Sequence, residues 1–281
     1  MNFRRSMLAG GSALAAAAVL ALGGAGAASA GTHPGAAGQA AAARAALHGL
    51  RVPGTQHRLA GAPQRVRGLT KVSSTNWSGY ADTGTGYSKV SSSWTQPAVT
   101  CSGSATQLAA FWVGIDGYSS GTVEQDGTLA ECYEGTAYYY TWWEMYPSND
   151  IQTVGDTVKP GDKIAASVVR TGTKYALKVT DSTTAGNSLS KTETCAAATC
   201  VDSSAEWIAE APSGSAGLYP LAKFAKWTAA SDAVSTTAKS GNIKTFTDDE
   251  ITMASSTDTM ATPSALNSAG TSFSVTWDHS S

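Results

Sequence analysis

From about Ser73 to the C-terminus, short runs of β-branched and aromatic residues recur between polar breaks. The runs are VSSSWT, LAAFWVGI, AYYYTWWEMY, KIAASVV, YALKVT, AEWIAE, NIKTFT and SFSVTW, with Pro160-Gly161-Asp162 and Ser240-Gly241-Asn242 among the interruptions. No stretch of this part repeats apolar residues at helical spacing long enough to predict a helix. Many short strands with turn punctuation predict one all-β domain, an antiparallel β-sandwich or barrel.

The two-residue period of a strand then sorts chemistry from packing. In residues 111–116, Phe111, Val113 and Ile115 share one face, while Trp112, Gly114 and Asp116 share the other. Tyr140, Trp142, Glu144 and Tyr146 form a second such face, and Glu206, Ile208 and Glu210 a third. Each strand therefore is expected to set acids beside aromatics on one side, as a concave sheet binding an extended ligand would. All eight tryptophans (Trp77, Trp94, Trp112, Trp142, Trp143, Trp207, Trp227 and Trp277) lie in this part, most of them expected to pack.

The first 72 residues have another texture. Arg4 and Arg5 precede an apolar run of Ala, Leu and Gly that ends at Ala28-Ser29-Ala30, a small-x-small cleavage pattern. Residues 1–30 are expected to be a signal peptide, with the export route left open, and the product to be secreted and extracellular. The run is too poor in bulky residues for a permanent membrane helix, so no membrane association is expected of the mature form. Residues 31–72 are rich in Ala, Gly, Pro and Arg and hold His33, His48 and His57. Arg44, Arg51, Arg58 and Arg65 recur every seven residues, but Pro53-Gly54 limits a predicted helix to residues 39–50. A cleavable basic propeptide is preferred to a disordered linker, leaving residues 73–281 as the main domain.

Charge sharpens that division. All 21 acidic residues lie after position 72, whereas eight of the 19 basic ones lie before it. The leader thus carries +8 and the domain −10. Such a domain would repel phosphate backbones, which argues against nucleic-acid partners, and would attract its own leader. Cys101, Cys132, Cys195 and Cys200 all fall in the domain, and an even count in an exported chain favours two disulfides. A small Cys195–Cys200 loop would leave Cys101 with Cys132, though three pairings are open.

Familiar chemistries find little support. There is no HExxH and no CxxC, and the domain keeps only His279, so neither a metal nor another cofactor is expected. Residues 117–121 fit G-x-S-x-G, but in an all-β context without the strand–turn–helix that motif needs. Asp82-Thr83-Gly84 has no second D-[T/S]-G to share a proton with. A carboxylate pair acting on sugars stays open, with Glu144, Glu206 and Glu210 as candidate acids. Asn76-Trp77-Ser78 matches a glycosylation sequon, more simply read as chance in a strand.

Five ordered blocks, NWSGY (from Asn76), FWVGIDG, TVEQDGT, WWEMYP and AEWIAE, resemble the glutamic peptidases, family G1 or eqolisins, with wording closer to bacterial than to fungal members. The likeness runs from about Asn76 to SFSVTW. It implies a sandwich of two curved antiparallel sheets of concanavalin-like jelly-roll type, and an endopeptidase active in acid on proteins or peptides. The family's catalytic pair falls on Gln125 and Glu210, and its cleft-lining Trp and Glu on Trp142 and Glu144. Trp77, Trp112 and Asp116 join these as substrate-binding candidates. Asp126, Trp143 and Met145 depart from the family pattern, which puts substrate preference in question.

That chemistry is sensible. An exposed glutamate with a pKa near 4.3 is partly ionised in acid and can take a proton from water. The glutamine amide can bind that water and then the oxyanion. Glu144 and Asp116 are expected to raise the pKa of Glu210. The basic propeptide is expected to inhibit by ionic contact until acid releases it, and the mature enzyme to be a monomer. A secreted β-sandwich that binds or cleaves polysaccharide, and a non-catalytic wall or adhesion domain, are the competing classes.

Overall fold

A computed structural model describes residues 36–47, 64–66, 69–155, 157–196 and 199–280. The signal-peptide stretch, Arg51, Arg58 and the end of the predicted leader helix lie outside the described residues.

Among the described residues the first element is α1 (Ala36–Ala46), built almost wholly of alanine, the best helix former. Strands follow in order: β1 (Gln64–Val66), β2 (Leu69–Ser74), β3 (Trp77–Thr83), β4 (Tyr87–Thr95), β5 (Gln107–Ile115), β6 (Val123–Tyr133), β7 (Thr136–Tyr146) and β8 (Gln152–Val154). Next come β9 (Lys163–Thr171), β10 (Lys174–Asp181), β11 (Leu189–Thr194), β12 (Ser204–Glu210), β13 (Trp227–Thr236), β14 (Thr247–Ala254), β15 (Thr259–Pro263) and β16 (Ser272–Trp277).

They form a β-sandwich. One sheet runs β8-β7-β6-β5-β12-β3-β14-β2-β1, and the other β11-β10-β9-β4-β13-β16-β15. Hydrogen bonding continues from one to the other because β14 pairs with β3 and β2 and then with β15. Pairing is antiparallel except where β2 lies parallel to β14.

Between the sheets lies an aromatic core. Phe111 meets Phe224 edge-on with ring centroids 5.2 Å apart, and Trp227 meets both Trp94 and Phe273 at 5.8 Å. Such pairs add specific geometry to a large apolar burial. A second apolar cluster covers the outer face of the first sheet, where Trp77, Trp112, Tyr140 and Trp142 pack with Leu108, Leu129, Ile208 and Ile251. Disulfides join Cys101 to Cys132 and Cys195 to Cys200.

Most expected runs are strands, but NIKTFT is not. Residues Ile243–Thr245 form a 3-10 turn, with Asn242 and Thr245 closing a capping box, and the strand starts only at Thr247. Asn242 is a strong cap residue, and its local bond competes successfully with strand pairing.

Candidate active site

The pleat of β6 puts Gln125, Gly127, Leu129 and Glu131 on the outer face of the first sheet. Across β7 these oppose Glu144, Trp142, Tyr140 and Tyr138 in turn. Across β5, Gly127 opposes Trp112 and Leu129 opposes Ala110, and Ala110 in turn opposes Glu210 of β12. Gln125 and Glu210 therefore share one face, with β5 between their strands and Trp112 in the row between them. Gly127 is obligatory in this arrangement: a Cβ there would lie 2.1 Å from the carbonyl oxygen of Phe111.

Glu210 is completely buried and sits among donors. Trp112 Nε1 donates to its Oε2 at 2.8 Å, and Asn76 Nδ2 to its Oε1 at 3.2 Å. Asn76 is itself held by Ser74, whose Oγ donates to Asn76 Oδ1 at 3.0 Å and accepts the backbone N–H of Trp77 at 3.1 Å. Trp77 packs edge-on against Trp112, centroids 5.0 Å apart. Burial pushes the Glu210 carboxyl well above the usual range, while the side chains of Trp77, Trp112 and Asn76 pull it back. This corrects two expectations: the glutamate is not exposed, and neither Glu144 nor Asp116 is what raises it.

Gln125 Nε2 donates to Glu144 Oε2 at 2.7 Å. The amide is thereby oriented by its cross-strand neighbour, as a group that must present one fixed end to a ligand requires. Trp142 and Trp112 flank Gly127, so Gln125, Glu144, Trp142, Trp112, Trp77 and Glu210 do come together. Asp116 does not join them. Its φ of 68° turns it out of the pleat after β5. Its carboxylate accepts the backbone N–H groups of Asp202 (2.9 Å) and Ser203 (2.8 Å) and the Ser203 hydroxyl (2.9 Å). It fastens the loop before β12 and stands apart from the face that Gln125 and Glu210 share.

The departures from the family pattern also lie elsewhere. Asp126, Trp143 and Met145 alternate with Gln125, Trp142 and Glu144 and so face the interior. Trp143 and Met145 belong to the core between the sheets. Asp126 is fully buried, its carboxyl pushed well up by burial and eased by backbone amides of Lys178 and Ser167 on the facing sheet. None of the three touches the aromatic face, so they bear on packing.

Sequence reasoning missed Asn76, set aside as a sequon residue. It is fully buried, which no glycosylated asparagine could be, and its amide serves Glu210. The signal was its place two residues after Ser74 and at the head of the first resembling block. Residues 117–121 form the loop between β5 and β6, where Ser120 Oγ accepts the N–H of Gly117 at 2.8 Å and no helix follows. Among the described residues the one cluster of metal-type donors is Glu124 with Cys195 and Cys200, and the disulfide leaves it no thiolate.

The end of α1 reaches this face. Ala43 and Leu47 are buried, and Leu47 packs in the same cluster as Trp77, Trp112, Tyr140 and Trp142. Arg44 donates to the Thr153 hydroxyl at 3.2 Å and to the Thr153 carbonyl at 2.5 Å.

Comparison with known proteins shows the family and the fold. Residues 75–277 match the model of the Peptidase A4 family. Aspergillopepsin-2 of Aspergillus niger is 28% identical over 163 residues, covering 49% of this chain and 56% of that protein. Scytalidopepsin B of Scytalidium lignicola is 30% identical over 116 residues, covering 41% and 43%. The chain thus spans about half the length of the curated relatives it matches. The fold is similar to scytalido-glutamic peptidase bound to a transition-state analogue inhibitor, with a TM-score of 0.62, 24% identity and coverage of 73% of this chain and 98% of that one. Aspergilloglutamic peptidase from Aspergillus niger gives a TM-score of 0.53 at 25% identity, covering 61% and 99%.

Proposed function

The chain belongs to the Peptidase A4 family, and on that premise we propose that it is a secreted acid endopeptidase in which Gln125 and Glu210 perform the chemistry. The observation that carries the reading is their common sheet face, with Trp112 between them donating to Glu210. The Glu210 carboxylate takes a proton from water as that water attacks the peptide carbonyl, and returns it to the leaving amine. The Gln125 amide, aimed by Glu144, donates to the oxyanion of the tetrahedral intermediate, a role worth roughly 3 kcal/mol in comparable sites. The peptide lies along the aromatic face, where Trp77, Trp112 and Trp142 supply apolar contact.

In the full chain Leu47, just after α1, packs in the cluster that holds Trp77 and Trp112, and burial raises the Glu210 carboxyl. Release of α1 readmits water, and the desolvation that raises the carboxyl falls while its donors stay. The ionised form then becomes accessible in acid. The burial of Leu47 and the Arg44–Thr153 bonds support the leader as an inhibitor seated on the cleft. At this end of the chain Lys71 also pairs with Glu250.

Casein hydrolysis near pH 3 tests the pair. Gln125→Ala is expected to lower the rate ~10²–10³-fold and Glu210→Gln at least as much, with circular dichroism unchanged. Substantial activity in either folded variant would overturn the assignment.

A further inference from the structure

The outward face of the second sheet has a charge pattern unlike the rest of the domain. Lys89 on β4, Lys163 on β9, and Lys174 and Lys178 on β10 point outward from it and are exposed, and exposed Lys226 stands just before β13. These are five of the domain's 11 basic residues. Among the described residues, no carboxylate occupies an outward position on β16, β13, β4, β9, β10 or β11. Asp232 of β13 is buried and faces inward, where Ser92 Oγ donates to it at 2.6 Å. None of these five lysines takes part in a described ion pair.

Between the lysines the floor is shallow and hydroxyl-rich. Two adjoining hollows of about 480 and 430 Å³ share Ser93, Ala165 and Thr180 in their lining. Ser91, Ser167 and Thr228 add hydroxyls, and no exposed aromatic side chain lines either hollow. The register puts Lys89 beside Val169 and Thr95 beside Lys163. These lysines stand at opposite ends of the groove, ~20 Å apart at the rise of an extended strand.

We propose that this face is an anchoring site for an extended sugar- or polyol-phosphate polymer, its phosphodiesters held by Lys89, Lys163, Lys178 and Lys226 and its hydroxyls by the Ser/Thr floor. Three observations select that chemistry. A domain that is acidic elsewhere keeps one face free of carboxylates, which is charge complementarity for an anion. Phosphodiesters keep their charge in acid, where carboxylated glycans titrate near pH 4 and lose theirs. The cations are all lysine, point charges suited to single phosphate oxygens, with none of the forked arginines of bidentate recognition. Single-stranded nucleic acid is disfavoured because the floor offers no ring on which a base could stack. The site lies on the sheet opposite the proposed cleft, so its occupation would hold the enzyme on a surface with the cleft open to solution.

The test uses the secreted full chain and a fluorescent glycerol-phosphate polymer at pH 4, with anisotropy read from 20 to 500 mM salt. Lys89→Ala/Lys163→Ala/Lys178→Ala is expected to weaken binding at least tenfold and to flatten the salt dependence. Lys223→Ala/Lys239→Ala/Lys244→Ala, which removes the same charge from other surfaces, is expected to change it less than twofold. Hydrolysis of a short peptide by either variant should match the parent, so that loss of binding is separable from loss of the proposed activity. No binding by the parent, equal loss in both triple variants, or equally tight binding of a 20-nucleotide thymidine strand would each overturn the proposal.

Discussion

Glu210 is governed by opposing local forces, and its neighbours show which one can be tuned. Burial raises its carboxyl, while hydrogen bonds from Asn76, Trp112 and Trp77 favour the charged form. Removing a donor should therefore leave the acid harder to ionise. In Asn76→Ala the acid limb of kcat/KM is expected to move to higher pH, with activity at pH 3 falling about tenfold, the scale of one hydrogen bond to a charged group. A pH–rate profile of the matured variant checks this, and an unmoved limb would sink it. Little of this was legible in the sequence. Strand alternation placed Trp112, Glu144 and Glu210 on faces correctly, because one face of each strand is set by the pleat. Gln125 carried no signal beyond its likeness to a known family. Asp116 was misplaced because a left-handed backbone breaks the alternation just where the strand ends.

The strands themselves were legible where one face is apolar and the other polar, as in β9 and β10, whose burial alternates residue by residue. β6 escaped that logic. It is buried on both faces for almost its whole length and holds Glu124, Asp126 and Glu131, so its sequence does not alternate. Its place is fixed by close approach to β5 at Gly127. Gly127→Ala would force those strands apart and is expected to cost several kcal/mol of stability, visible as a lowered urea midpoint. The disulfides act on the same scale. Cys101–Cys132 closes a loop of 31 residues and Cys195–Cys200 one of 5. Chain-entropy arguments give about 3.7 kcal/mol for the first and about 2 for the second. Replacing each pair by alanine should reproduce that order in urea unfolding, and a larger loss from the short loop would refute it.

At the scale of the whole molecule, many carboxyl groups of the described residues are buried. Burial pushes Asp82 up to about 9 and Asp232 and Glu131 to about 7, and moves Glu124, Asp126 and Glu206 well up as well. Each folded value lies above that of the unfolded chain. The native state thus holds more protons than the unfolded one from about pH 4 upward, and stability falls as pH rises through the folded values. Full stability is expected below about pH 4, with progressive loss toward pH 9 and on the order of 3 kcal/mol at stake for a group raised to about 7. Thermal unfolding should show the highest Tm near pH 4, and Asp82→Asn should flatten the decline at its alkaline end. A Tm that climbs between pH 4 and 7 would contradict this. The sequence showed the acidity of the domain but not where it lies, because a tally of charges does not distinguish a solvated carboxylate from a buried acid.

The parallel pairing of β2 with β14 has a consequence for the proposed maturation. A peptidase binds its substrate as a free extended chain, and residues already hydrogen-bonded into a sheet cannot be drawn into a cleft. Thr70 to Ser74 lie in register with Asp249 to Met253, and Lys71 is tied to Glu250. Trimming of the leader should therefore halt where the ladder begins, so that the sheet edge acts as a ruler for the new terminus. N-terminal sequencing of the acid-treated protein is expected to find a first residue at or before Gln64, where β1 begins its pairing with β2, ahead of the boundary at Ser73 that the change in composition suggests. A terminus beyond Ser74 would mean that the ladder opens before the cut is made.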